Sequence, residues 1–111
     1  IAGIQLNHIN MKTYISGAIT GQPMDETRQR FKVAEVHAKA LTQQEVINPF
    51  DLFSKEEERK FNWRQFMIRD LTALLHSCNS IYMLRGWQNS RGARLEHAAA
   101  VESDMRIFYE E

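Results

Sequence analysis

Two carboxylates on different predicted helices are the residues whose type and spacing best suit chemistry. Asp70 lies four residues after Phe66, so the helical repeat places it on the apolar side of its helix. Glu96 shares a helical side with Ala93 and Ala100, and such small neighbours leave room for a ligand. Because a bare charge is costly to bury, each carboxylate must be paired, hydrogen-bonded or shifted in pKa.

Two such carboxylates in one pocket suit the cleavage of a glycosidic bond. One would attack or stabilise the anomeric carbon, and the other would transfer a proton to or from the leaving group. A structural alternative stands beside each role. Asp70 is then an internal ion pair or a cap for a neighbouring loop, and Glu96 is an ordinary solvated helix residue.

The loops after the predicted strands supply candidate binding groups. Residues 16–21 hold two glycines and two hydroxyl groups, and glycine lets the backbone approach a ligand closely. A plain strand-to-helix turn is the alternative, since neither a Walker loop nor a dinucleotide fingerprint is present. Residues 86–92 are polar, bounded by glycines, and carry Trp87. Ser90 is also the predicted N-cap of the next helix.

Alternating strands and helices must position these residues. Hydrophobic periodicity predicts strands at 12–16, 45–48, 80–84 and 105–109, and helices at 25–43, 62–76 and 91–103, with a short charged helical turn opened by a capping box at Ser54. Strands separated by helices imply right-handed parallel crossovers, hence a three-layer α/β sandwich. Its ligands would bind beyond the carboxyl ends of the strands, at residues 16–18, 48–50 and 85–87.

Composition and charge restrict the class of protein. The chain has 111 residues, of which 43% are hydrophobic, which supports one compact domain. Fourteen basic residues balance fourteen acidic ones, which argues against binding to a nucleic-acid polymer. The single cysteine cannot form an intramolecular disulfide, and the four histidines lack the spacing of metal ligands. We therefore expect no metal.

Residues 1–10 fit poorly with the pattern that follows. They precede Met11, which resembles a natural start, and we interpret them as a tag or extension. An extra edge strand is the alternative. Residues 11–111 are then the single domain. No apolar run approaches the roughly 20 residues that span a bilayer, so we expect a cytoplasmic protein with no membrane partner.

Three short motifs, in matching order and spacing, carry a family resemblance. They are Tyr-Ile-Ser-Gly-Ala-Ile-Thr-Gly at 14–21, Arg69-Asp70-Leu71 ahead of an apolar strand, and Ser90-x-Gly92-x-x-x-Glu96-x-x-x-Ala100. Over most of residues 11–109 the chain resembles the nucleoside 2-deoxyribosyltransferases and the related deoxynucleoside 5′-monophosphate N-glycosidases. Asn79 stands where relatives often have aspartate.

The resemblance implies a role for each matching position. Glu96 would be the nucleophile at C1′ of a deoxyribonucleoside, and Tyr14 would orient its carboxylate. Asp70 would contact the base or sugar and help the base to leave. The loop at Gly17, together with Ser90, would bind the 5′ substituent, a phosphate in the monophosphate hydrolases. The full set of predicted binding residues is Ser16, Gly17, Ile19, Gly86, Trp87, Ser90 and Gly92.

These inferences combine into one prediction with two alternatives. We predict a flavodoxin-like α/β domain with a small, mostly parallel sheet of about four strands. It would cleave the N-glycosidic bond of a deoxynucleoside or its monophosphate, or transfer the deoxyribosyl group, without a cofactor. The alternatives are a TIR-like NAD glycohydrolase and a non-catalytic nucleotide-binding module.

A homo-oligomer, at least a dimer, is also expected. Trp63, Phe66 and Trp87 offer more aromatic area than one small core needs, and surplus apolar surface usually marks an interface.

Overall fold

The computed structural model describes residues 11–111, so both interpretations of residues 1–10 lie outside the described part of the chain. Strands and helices alternate from the start. The elements are β1 (Lys12–Ser16), α1 (Met24–Thr42), β2 (Val46–Ile47), α2 (Lys55–Lys60), α3 (Trp63–Ser77), β3 (Cys78–Met83), α4 (Arg91–Glu102) and β4 (Arg106–Tyr109), with single turns of 3-10 helix at Pro49–Leu52 and Trp87–Asn89.

The four strands form one parallel sheet in the order β2-β1-β3-β4. Thr13 pairs with Val46 on one side of β1, while Tyr14 pairs with Ile81 on the other. This confirms the predicted flavodoxin-like α/β sandwich. The chain runs from β1 outward to β2 and then crosses back to β3, so the direction of strand addition reverses beside β1. Crevices at such a reversal are where open α/β sheets bind ligands.

Alternation along β1 divides the core between the two faces of the sheet. Tyr14 packs on the side of α3 and α4, whereas Ile15 packs on the side of α1, because successive strand residues point to opposite faces. Helix α1 contributes Phe31, Ala34 and Ala38 to its side. The two helices α3 and α4 therefore cover the face from which Tyr14 projects.

Two strands differ in extent from the sequence-based expectation for reasons that the structure shows. Strand β3 begins at Cys78, two positions before the predicted start, because α3 runs directly into it without a loop. Strand β2 is limited to Val46 and Ile47, since the Asn48 side chain accepts a hydrogen bond from the Phe50 amide and begins a 3-10 turn.

Polar caps fix the starts of the helices near the site. The predicted capping box at Ser54 is present, with Glu57 as its partner. Asn62 and Gln65 form a second box at the start of α3. Ser90 caps α4, as predicted, by accepting a hydrogen bond from the Ala93 amide. Within residues 11–111, no helix is long and apolar enough to span a membrane.

Candidate active site

A cavity of about 640 Å³ opens at the carboxyl ends of the strands. The loop after β1 lines it with Gly17 and Ile19, and the turn after β2 with Pro49 and Phe50. The loop after β3 and the first turn of α4 line it with residues 89–93. Its position matches the edge at which the sequence predicts ligand binding.

Glu96 lies at the bottom of this cavity and is held there by two hydroxyl groups. Its side chain is buried, with 4% of its surface exposed. The Tyr14 hydroxyl donates to Oε2 at 2.9 Å, and the Ser16 hydroxyl donates to Oε1 at 2.7 Å. Tyr14 and Ser16 are two positions apart in β1, so both side chains point to the face that α4 covers. The strand and the helix thereby fix both oxygens of one carboxylate.

Asp70 faces the same cavity from α3 and is less well paired. It is 7% exposed, and its Oδ1 has no hydrogen-bond partner among the residues that the structure describes. Buried polar atoms are nearly always hydrogen-bonded, so an exception needs a reason. A ligand in the cavity would supply one, because Asp70 lines the cavity.

Burial raises the pKa of both carboxyl groups. The pKa of Asp70 rises to about 7, opposed by the Tyr14 hydroxyl and the Arg69 guanidinium. The pKa of Glu96 rises to about 8 through burial and through repulsion by Asp70, opposed by the Ser16 and Tyr14 hydroxyls. Burial and the negative charge of Glu96 raise the pKa of Tyr14 well above its ordinary value, so it remains a donor.

The two carboxyl groups do not ionise independently, because the first negative charge makes the second ionisation harder. Near neutral pH the pair therefore carries about one negative charge. Two hydroxyl donors favour that charge on Glu96, since hydrogen bonds to the charged form stabilise it. In that state Asp70 holds the proton, whereas burial of Glu96 and its repulsion by Asp70 favour the opposite state, with the proton on Glu96. An ionised carboxylate and a protonated one in the same cavity are the pair that acid-assisted nucleophilic substitution requires.

The walls above this pair are largely apolar and aromatic. A flat ring could stack against them, since aromatic faces prefer offset or edge contacts with other rings. The wall side chains are Ile19, Met24, Pro49, Phe50, Phe53, Trp63, Phe66 and Met67.

One side of the rim is suited to an anion. Ser90 and Arg91 begin α4 there, where the helix presents free amides and the positive end of its dipole. The Arg91 guanidinium lies 3.7 Å above the centre of the Trp63 ring. Between residues 11 and 111, no three side chains of His, Cys, Asp or Glu cluster closely enough to hold a metal ion.

Most of the predicted site residues meet at this cavity. Ser16 does so indirectly, since it contacts Glu96 from β1. Gly17 has a packing reason as well, because a Cβ there would lie 2.7 Å from Cδ1 of Leu84. The predicted residues that line the cavity directly are Tyr14, Gly17, Ile19, Asp70, Ser90, Gly92 and Glu96.

Gly86 and Trp87 are the two predicted binding residues that the structure does not bring to the cavity or to Glu96. Both belong to the described part of the chain but lie outside the cavity lining. Gly86 has a φ of +86°, which turns the chain so that the Trp87 ring stacks on His97 at 4.1 Å between ring centres. His97 in turn contacts the Tyr109 hydroxyl at 2.8 Å. Trp87 therefore packs the loop onto α4, and its role in ligand binding stays a prediction.

The sequence-based reasoning missed much of the aromatic wall and the charged residues Glu58 and Arg91. Trp63 and Phe66 were interpreted as surplus aromatic area for an interface, yet both line the cavity. The surplus of aromatic side chains was itself the sequence signal for the cavity wall. Trp87, Trp63 and Phe66 all have contacts within the chain, so they no longer support an oligomer.

Comparison with known families gives one match. The family described as a domain of unknown function, DUF4406, matches residues 11–109. The comparisons with curated proteins and with solved structures gave no match.

Proposed function

The chain belongs to the DUF4406 family, a domain of unknown function, and from its site we propose that it cleaves the N-glycosidic bond of a deoxynucleoside or a deoxynucleoside monophosphate. One observation carries the proposal. The buried Glu96 carboxylate, held by two hydroxyl groups, faces the same cavity as the incompletely paired Asp70. The resemblance in the three motifs points to the same reaction.

The reaction proceeds by double displacement. An oxygen of Glu96 bonds to C1′ as the bond from C1′ to the base nitrogen breaks, and the electron pair leaves with the base. Asp70 gives its proton to the departing base. Water then attacks C1′, Asp70 takes a proton from that water, and the ester to Glu96 breaks. Replacement of water by a second base would give deoxyribosyl transfer.

The two hydroxyl donors serve the first step. A free carboxylate rotates among conformers, whereas Glu96 is held at both oxygens by Tyr14 and Ser16. Holding a nucleophile in its reacting geometry lowers the entropic part of the barrier. As the ester forms, Glu96 loses its negative charge, so the hydrogen bond that Tyr14 donates to it weakens. The hydrogen bond regains its strength when the ester breaks.

The remaining groups suit the rest of a nucleotide. The aromatic walls would stack on the base, and the rim at Ser90 and Arg91 would take a 5′ phosphate. Glycine at position 92 keeps this rim open, since a Cβ there would lie 3.2 Å from Sδ of Met67. A deoxynucleoside monophosphate uses every part of the cavity.

The direct test is release of free base, followed by chromatography, from a panel of deoxynucleosides and their 5′-monophosphates. Glu102→Gln is the matched control for Glu96→Gln, because Glu102 is an exposed glutamate on the same helix. We expect base release by the wild type and by the control but not by Glu96→Gln. Nicotinamide release from NAD, with deoxynucleotides untouched, would favour the NAD glycohydrolase. Binding without release of any base would favour a non-catalytic module.

We also propose a homo-oligomer, on grounds that differ from the sequence-based ones. Ile68 and Leu75 lie seven positions apart on α3, hence on one face, and are 67% and 52% exposed. Large side chains left in water on one helical face suit a contact with a second copy. Light scattering at micromolar concentration tests this, and a monomer would contradict it.

A further inference from the structure

Glu58 is a third carboxylate at the cavity, away from the pair that the mechanism uses. It lies on α2, whose residues 55–60 all remain exposed or half-buried. Core packing therefore does not explain where its side chain points. The carboxylate nevertheless lines the cavity, beside the aromatic residues Phe50 and Phe53.

An arginine from another element fixes Glu58 in this place. Arg28 on α1 donates a hydrogen bond to Oε1 of Glu58, and the two side chains form an ion pair. The Arg28 guanidinium also lies 4.7 Å above the centre of the Phe50 ring. A guanidinium held by a carboxylate and a ring has little freedom, and it holds the carboxylate in turn. The ion pair engages Oε1, so a ligand can approach Oε2.

The cavity lining thus includes groups of opposite charge on different elements. Arg91 at the start of α4 favours an anion, whereas Glu58 on α2 favours hydrogen-bond donors. The catalytic pair, Asp70 and Glu96, lines the same cavity. A nucleotide has a matching set of parts: an anionic phosphate, the sugar with C1′, and a base whose edge carries donors or acceptors.

We propose that Glu58 is a specificity-determining residue that selects substrates whose base carries an exocyclic amino group. The proposal rests on the proposed function, since it places the phosphate at Arg91 and C1′ at Glu96. Adenine, cytosine and guanine each present an amino group that donates to a carboxylate. Thymine presents two carbonyl oxygens on either side of its single ring N–H, and these repel a carboxylate. Discrimination through hydrogen bonds of this kind is strong because a mismatched group stays unpaired.

The test compares four substrates and three proteins. Base release from dAMP, dCMP, dGMP and TMP is measured as kcat/KM for the wild type, Glu58→Gln and Glu56→Gln. Glu56 is the matched control, because it lies on the same short helix, is exposed, and pairs with Lys60 instead of the cavity. We expect the wild type and the control to prefer the three amino-bearing substrates over TMP by roughly tenfold or more. In Glu58→Gln that preference should fall by the same factor.

A second measurement separates this inference from the proposed function. Dissociation constants of the four nucleotides, obtained by calorimetry on the same proteins, report selectivity without turnover. If no base is released but the binding preference is present and depends on Glu58, the proposed function fails and the selectivity stands. If base is released and Glu58→Gln changes all four substrates equally, the selectivity is overturned and the proposed function stands. A wild type that binds none of the four overturns both.

Discussion

The two edges of the sheet differ in how fully their buried polar groups are hydrogen-bonded. At the amino edge the Thr13 hydroxyl lies 3.0 Å from that of Thr42 and 2.7 Å from Oε1 of Gln44. Gln44 continues the network by donating to Asn79 at 2.9 Å. At the carboxyl edge two carboxyl groups share one cavity, and Oδ1 of Asp70 has no partner within residues 11–111.

This difference separates polar groups that stabilise the fold from groups that are available for chemistry. A network whose members satisfy one another positions strands and has nothing left to offer a ligand. Buried carboxyl groups that lack donors reduce stability, and proteins keep such groups where function needs them. Asn79 belongs to the satisfied edge, since its side chain accepts a hydrogen bond from Gln44.

The strongest test of the comparison is the substitution Glu96→Gln. The amide keeps the shape of the side chain but is not a nucleophile, so base release should fall by roughly a thousandfold or more. Nucleotide binding should persist, as measured by calorimetry. A 2-fluoro substrate analogue should also add one glycosyl mass to the wild-type peptide that contains Glu96. Turnover close to that of the wild type would exclude Glu96 as the nucleophile.

The next largest effect is expected for Asp70→Asn. An amide cannot donate the proton that the leaving base needs, so kcat should fall by roughly a hundredfold. Wild-type kcat/KM should peak between pH 7 and 8, because the pKa values of Asp70 and Glu96 are about 7 and about 8 and the singly ionised pair is the active form. In Asp70→Asn the alkaline decline should disappear. If the alkaline decline persists in Asp70→Asn, a group other than Asp70 supplies the proton.

Stability should respond to pH in a way that depends on Glu96. Burial raises the pKa values of both members of the pair, to about 7 for Asp70 and about 8 for Glu96, so the folded state binds protons more tightly than the unfolded state. The wild type therefore loses stability as the pH rises from about 4.5 to about 8. Glu96→Gln leaves only one ionisable group of the pair and should be more stable than the wild type at pH 8 by on the order of 2 kcal/mol, but not at pH 4. Urea unfolding at both pH values measures this, and equal differences at both would refute it.

At the amino edge of the sheet, removal of a polar group should lower the stability instead of raising it. Thr13→Val preserves volume but removes the hydroxyl that joins Thr42 and Gln44. The Thr42 hydroxyl keeps its bond to the Ala38 carbonyl, but Oε1 of Gln44 loses its donor. The free energy of unfolding should therefore fall by about 1–2 kcal/mol, measured by urea denaturation at pH 7. Base release per folded molecule should be unchanged. A loss of activity at full stability would show that the amino edge also contributes to catalysis.

Much of the fold could be predicted from the sequence, because its signals are local. Apolar residues at helical spacing and short strand-like runs gave four strands, three long helices and the capping box at Ser54, as the structure confirms. The lengths of β2 and β3 were harder to predict. They depend on a side-chain hydrogen bond at Asn48 and on a helix that joins a strand at Cys78 without a turn residue.

The site likewise has parts that could be predicted from the sequence and parts that could not. The bottom of the cavity could be predicted, because Asp70 and Glu96 stand out as charges on apolar helical faces. The walls could not, because a phenylalanine that lines a cavity has the same sequence signature as one in the core. The packing of Trp87 could not be predicted for a related reason, since its stacking on His97 depends on the turn at Gly86. Glu58 lacks any periodic signal, and only its contact with Arg28 distinguishes it from its exposed neighbours.

The hydrogen bonds that hold Glu96 have a consequence for how the protein is synthesised. They join residues 80 and 82 positions apart, so β1 is synthesised well before α4. On the ribosome, β1 can pair with β2 while most of α3 and β3 is still absent. Glu96 and its two hydroxyl partners meet only after α4 has been made, and such distant contacts form slowly. A nascent chain can therefore pair β1 with β2 before the site exists, whereas β4 joins the sheet only after α4. Pairing of β1 with β2 should accordingly appear in arrested chains that are too short to bind a nucleotide.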